Sequence, residues 1–140
     1  MASKSNVSKS RSARDQTRAL DIQIQFMEGV VRRDPRYVEA LQLLGDNYTK
    51  RGRYSEGLNV DERLAELEPE NPLVFYNLAC SYAVLGHELA ALESLERAVE
   101  LGFSDGDYML IDPDLSSVRQ LLRFRRLASR LKVAAGATVV

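Results

Sequence analysis

Displaced against itself by 34 residues, the chain meets its own packing pattern. Leu44 falls on Leu78, Tyr48 on Tyr82 and Gly52 on Gly86; Leu58 falls on Leu92 and Leu67 on Leu101. Gly45 meets Ala79 and Gly57 meets Ala91, small for small. The polar positions between these landmarks drift freely. Sites that face a neighbouring element must keep their size, and sites that face water need not. A period of this length points to a repeat array, in which each unit buries its apolar face only against its neighbours.

Each unit reads as two helices. Leu41, Leu44 and Tyr48 are spaced i, i+3, i+7, one face of a helix. Gly52 follows, suited to the left-handed position after a helix end. A second helix runs from about Tyr54 to Leu67 and stops at Glu68-Pro69. The next unit repeats this with Phe75, Leu78 and Tyr82, then Gly86, then Leu92, Leu95, Ala98 and Leu101. One period upstream, Asp34-Pro35 matches Glu68-Pro69, and Leu20, Ile24, Met27 and Val31 read as a second helix without its first. Downstream of Leu101 the match fails, and Asp112-Pro113 signals a new helix start.

These residues resemble the tetratricopeptide repeat (TPR) family. Its pattern is carried here by Leu41, Leu44-Gly45, Tyr48, Gly57, Asp61, Leu64 and Pro69, and again by Phe75, Leu78-Ala79, Tyr82, Ala91, Leu95, Ala98 and Phe103. The departures are Asp61 for an aromatic residue, Leu64 for a small one and Phe103 for proline. The resemblance implies an all-α fold, a short right-handed superhelix of helix-turn-helix repeats with C-terminal capping helices. The expected organisation is a disordered basic tail over 1–15, a partial repeat over 16–35, full repeats over 36–71 and 72–104, capping helices over 105–135 and a flexible C-terminus over 136–140.

Charge and chemistry narrow the function. The net charge is −1, but residues 1–18 sum to +4 and residues 119–132 to +6, which leaves −11 on the remainder. Lone Cys80 excludes an internal disulfide and suits a reducing cytoplasm. It reads as a packed small hydrophobe. No apolar run approaches the roughly 18 residues of a membrane span, and the opening stretch lacks the apolar core of a secretory signal. His87, alone after Gly86, reads as a turn residue; Glu93, Glu96 and Glu100 read as a solvated stripe. No phosphate loop, nucleophile elbow or metal-ligand spacing is present. The expectation is a non-enzyme without cofactor or metal.

The resemblance also implies a concave surface lined by the first helix of each repeat. Its facing positions here are Glu39, Gln42, Asp46 and Thr49, then Leu73, Tyr76, Cys80 and Ala83, with Asn77 beside them. Some family members clamp a terminal carboxylate there with Lys and Asn. This chain has Gln42 and Asp46 at those places, which favours a neutral or basic protein segment with Tyr76 as apolar anchor. With two full repeats, the groove could equally stay unused or be filled by the chain's own tail.

On one helical wheel over 119–131, Arg119, Arg123, Arg126 and Arg130 form a ridge opposite Leu121, Phe124, Leu127, Ala128 and Leu131. The apolar side caps the last repeat. The ridge gives on the order of 4 kcal/mol at an anionic membrane, roughly millimolar affinity, too weak without avidity. Nucleic acid is disfavoured by the acidic body and the lack of a stacking platform. An acidic filament fits better; the size and architecture are similar to the bacterial kinesin light chains, small TPR proteins that accompany bacterial tubulins. The unpartnered partial repeat, residues 20–31, could pair two copies.

Overall fold

The computed structural model describes residues 4–137, with side chains from 12 to 132. The described residues form α1 (Lys4–Arg33), α2 (Val38–Lys50), α3 (Tyr54–Leu67), α4 (Pro72–Val84), α5 (Glu88–Glu100), α6 (Gly106–Ile111), a 3-10 turn (Pro113–Leu115) and α7 (Leu122–Ala137). There is no strand among them. The chain divides into two compact units at Val60/Asp61, inside α3.

The 34-residue period is written into the backbone hydrogen bonds. Arg53 N–H donates to the Tyr48 carbonyl at 2.8 Å, and His87 N–H to that of Tyr82 at 2.9 Å. Gly52 and Gly86 donate to Thr49 and Ala83, both at 3.0 Å. Each pair closes a helix with a left-handed residue, and φ is +80° at Gly52 and +81° at Gly86. The helix entrances match too: Tyr37 N–H donates to the Asp34 carbonyl and Asn71 N–H to that of Glu68, both at 3.2 Å. Asn71 also caps α4, its side chain accepting from Leu73 N–H at 3.0 Å, whereas Tyr37 gives α2 no side-chain cap.

In the first unit α1 packs along α2. Ile24 is completely buried, and Leu20, Met27 and Val31 are half-buried. Leu41, Leu44 and Tyr48 supply the face of α2 that is buried. The Tyr48 hydroxyl donates to Glu28 Oε2 at 2.8 Å; burial first, then Glu28, pushes its pKa up. Arg53 lies 4.9 Å over the Tyr48 ring and donates to both Glu56 oxygens, at 2.6 and 2.7 Å. Gly57 sits where a Cβ would come within 3.3 Å of Thr49 Oγ1 and 3.8 Å of the Gly45 carbonyl. That is the close approach its small size permits.

Two expectations need correction here. Residues 4–15 are helical, not a disordered tail. Their basic composition carries no Pro or Gly; the first glycine is Gly29 and the first proline Pro35, so nothing breaks α1 before its end. The Leu20, Ile24, Met27 and Val31 face is taken by α2 and does not remain open for a second copy. Residues 1–3 of the expected tail, and 138–140 of the expected flexible C-terminus, lie outside the described residues; α7 runs to Ala137.

In the second unit α4 and α5 pack with Ala79 and Ala91 fully buried between them. Asp61, which stands where the repeat pattern has an aromatic residue, accepts a hydrogen bond from Ser81 Oγ. Phe103 stands where the pattern has proline, and the exchange changes the path of the chain. Its N–H donates to the Ala98 carbonyl at 2.9 Å, a bond proline could not make, and Gly102 turns at φ +117°. α6, the 3-10 turn and α7 follow as a cap. Phe124, Leu127 and Ala128 of α7 are buried with Met109, Leu115 and Val118 against α4 and α5, while Leu122 is 62% exposed.

Candidate partner-binding surfaces

The outward face of α2 is set by its own periodicity. Leu41, Leu44 and Tyr48 turn inward, so Glu39, Gln42, Asp46 and Thr49 are all exposed. Thr49 Oγ1 donates back to the Gly45 carbonyl at 3.0 Å. Among them lies a residue that the repeat positions did not single out: Leu43, 55% exposed. It is one turn from Glu39 and Asp46 (i+4 and i−3), and so is an apolar spot flanked by two carboxylates. The signal was available in sequence, since Leu43 falls outside the Leu41–Leu44–Tyr48 stripe.

The equivalent face of α4 is different. Leu73 and Asn77 are exposed, but Tyr76, Cys80 and Ala83 are buried. The chain's own cap covers them. The Tyr76 ring stacks on Phe103 at 4.4 Å with 14° between planes, and its hydroxyl donates to Asp112 Oδ2 at 2.6 Å. Ser117 Oγ donates to the Ala83 carbonyl at 2.9 Å. Tyr76 is therefore an anchor for the chain itself and is not free to anchor a partner. What covers this face is the cap from Phe103 to Ser117, not the chain's tail.

Asp112 is the pivot of that closure. Its Oδ1 accepts from Asp114 N–H at 3.0 Å, capping the 3-10 turn, while Oδ2 accepts from the Tyr76 hydroxyl. Burial and then the Asp112 hydrogen bond push the Tyr76 pKa up. Burial, followed by the Asp112 and Asp114 charges, pushes the Cys80 thiol up as well, so it is held as a thiol and not as a nucleophilic thiolate. Cys80, Asp112 and Asp114 bring potential ligand atoms within 4.8 Å of one another. Both Asp112 oxygens already serve as acceptors, however, and the trio reads as a hydrogen-bonded plug.

The arginine ridge is thinner than one continuous helix would make it. Residues 116–121 are turns, so Arg119 is not on α7. Its Nη2 donates to the Asp112 carbonyl, and its Nε is buried without a partner among the described residues. Arg123 pairs with Glu96 of α5. Arg126 and Arg130 remain exposed, flanked by exposed Arg125 and Lys132. His87 is an exposed turn residue whose ring lies 6.0 Å from that of Tyr82. No helix among the described residues is long and apolar enough to cross a membrane.

Two-helix units repeating every 34 residues, closed by the same turns, give this chain a helical-repeat fold that resembles the TPR architecture. Comparison with known proteins agrees. No family model matches the chain. The peroxisomal targeting signal receptor of Komagataella phaffii is 36% identical over 78 residues, covering 56% of this chain and 14% of the receptor. The human PEX5-related protein is 31% identical over 81 residues, 58% of this chain and 13% of that protein. The chain thus spans only a small fraction of these relatives. In fold it is similar to MamA, with a TM-score of 0.67 at 23% identity over 88% of this chain and 68% of MamA. A second MamA structure gives 0.65 at 20% identity, over 86% and 71%.

Proposed function

We propose that the chain is a non-catalytic adaptor that holds a protein segment on the outward face of α2, and that the segment is basic with one apolar side chain. The observation that carries this reading is Leu43, 55% exposed, set between exposed Glu39 and Asp46. An aliphatic or aromatic partner side chain would cover Leu43, while Lys or Arg neighbours would pair with the two carboxylates. An acidic terminus would be repelled. The similarity to proteins named as targeting signal receptors supports a binding role. The buried, protonated Cys80 speaks against thiol chemistry.

Selection of peptides from a random library on the immobilised full chain tests this. Enrichment of basic peptides carrying one large apolar residue is expected, with Leu43→Ala and Asp46→Lys each lowering affinity at least tenfold. Enrichment of acidic peptides, or affinity unchanged in both variants, would remove α2 from the reading.

A second reading places binding on the basic end, because Arg125, Arg126, Arg130 and Lys132 stay exposed. With Arg119 and Arg123 engaged elsewhere, two ridge residues give on the order of 2 kcal/mol at an anionic surface. Such binding would weaken steeply with salt, whereas Leu43-anchored binding would persist.

A further inference from the structure

α1 carries two heptad seams. One, Leu20–Ile24–Met27–Val31, faces α2. The other, Asp15–Ala19–Ile22–Phe26–Gly29–Arg33, has the same alternating four-and-three spacing on the opposite side. Among the described residues nothing covers its centre: Ile22 is 58% and Phe26 70% exposed, Asp15, Ala19 and Arg33 are exposed, and Gly29 is half-buried. Neither Asp15 nor Arg33 makes an ion pair among the described residues.

This seam is complementary to itself. Laid antiparallel on a second copy about a twofold axis near residue 24, Ile22 meets Phe26, Ala19 meets Gly29, and Asp15 meets Arg33. The large apolar residues meet at the centre. The small ones flank them and let the backbones approach, and Gly29 has no atom within 4 Å of its Cβ position to obstruct this. Opposite charges close both ends. A closed isologous contact requires each position to be answered by its mate on one patch, and three successive layers of this seam satisfy that. One flank opposes it, since Arg18 approaches Arg32 of the second copy, which keeps the pairing reversible.

We propose that two copies of this chain pair antiparallel through the outward seam of α1, with Ile22 and Phe26 at the centre and Asp15–Arg33 ion pairs at the ends. This stands on residues separate from the α2 face and holds or fails independently of it.

Sedimentation equilibrium of the full chain over a concentration series tests it. The expected result is reversible association from 15.7 kDa to twice that mass. Phe26→Asp should stay monomeric with unchanged helical circular dichroism. Asp15→Arg and Arg33→Asp should each weaken association about tenfold, the double exchange should restore it, and Arg18→Glu should tighten it. For the register, oxidation of a mixture of Ala19→Cys and Gly29→Cys chains should cross-link the two kinds together and neither kind with itself. A monomer at every concentration, full association of Phe26→Asp, or self-cross-linking of Ala19→Cys would each overturn the proposal. A different protein found covering Phe26 of a monomeric chain would do the same.

Discussion

Replacing Asp112 by alanine should loosen the cap over α4 more than any nearby surface change. Asp112 is 4% exposed and serves three donors: Asp114 N–H, the Tyr76 hydroxyl and, at 3.7 Å, the Cys80 thiol. Losing the N-cap costs about 1 kcal/mol. A buried Tyr76 hydroxyl without an acceptor costs about 1–3 kcal/mol more. The sum, about 2–4 kcal/mol, corresponds to a melting-temperature drop of about 5–15 °C for a chain of this size. Tyr76→Phe should cost less, about 1–2 kcal/mol, by depriving the carboxylate of its donor. The double variant leaves no orphaned hydroxyl, so urea unfolding should give a coupling of at least about 1 kcal/mol between the two sites. Cys80 reports the same event locally because it is the single thiol and lies under the cap. If cap release is what exposes it, its reaction with a thiol reagent should speed up roughly 30- to 1,000-fold in Asp112→Ala when compared at equal thiolate fraction, because Asp112 also raises the thiol pKa directly. Effects that add within about 0.5 kcal/mol, with unchanged Cys80 reactivity, would refute the idea that this bond closes the groove.

Alkali should destabilise the second unit in a defined order. The folded pKa values of Cys80 and Tyr76 lie above their ordinary 9.0 and 10.0, so below about pH 9 both states keep the protons and the contribution is constant. Above it the unfolded chain ionises first, and stability falls by up to about 1.4 kcal/mol per pH unit for the buried thiol. Cys80→Ala should flatten denaturation midpoints between pH 9 and 10; an unchanged slope would contradict the assignment. Two glycines should respond oppositely to alanine. Gly52→Ala, at φ +80°, should cost about 1–2 kcal/mol, whereas Gly29→Ala, inside α1 with open space around it, should gain about 0.5–1 kcal/mol. Thermal melts of the two variants read both signs. Tyr37→Asn should give α2 the cap that Asn71 gives α4, adding about 1 kcal/mol.

The repeat was legible because its turns and close contacts are fixed by single residues. Gly52 and Gly86 must turn left-handed, and Gly57, Ala79 and Ala91 must be small. What covers α4 was not legible. Tyr76 meets Asp112 across 36 positions, and a pattern local to α4 cannot distinguish a groove for a partner from one for the chain's own cap. The misplacement of Arg119 had a readable cause. Leu115, Val118 and Leu121 recur every third residue, and Val118 and Leu121 N–H groups bond three residues back, at 3.1 and 3.0 Å. That is 3-10 spacing, and a wheel at 100° per residue rotates Arg119 onto a ridge it does not join. Arg123 was drawn away by Glu96, an acid from a different helix. In α1 composition misled: basic, serine-rich sequence suggests disorder, while the absence of any breaker permits the helix.

In the proposed arrangement one repeat face is open for a partner, and the other is closed by the chain itself. The most direct test is the backbone amide spectrum of the full chain titrated with the strongest peptide from the library selection. Shifts should concentrate on Glu39, Gln42, Leu43 and Asp46, with Tyr76, Cys80, Ala83 and Asp112 unmoved. Shifts centred on Tyr76 and Asp112, with α2 silent, would show instead that the partner displaces the cap and binds α4.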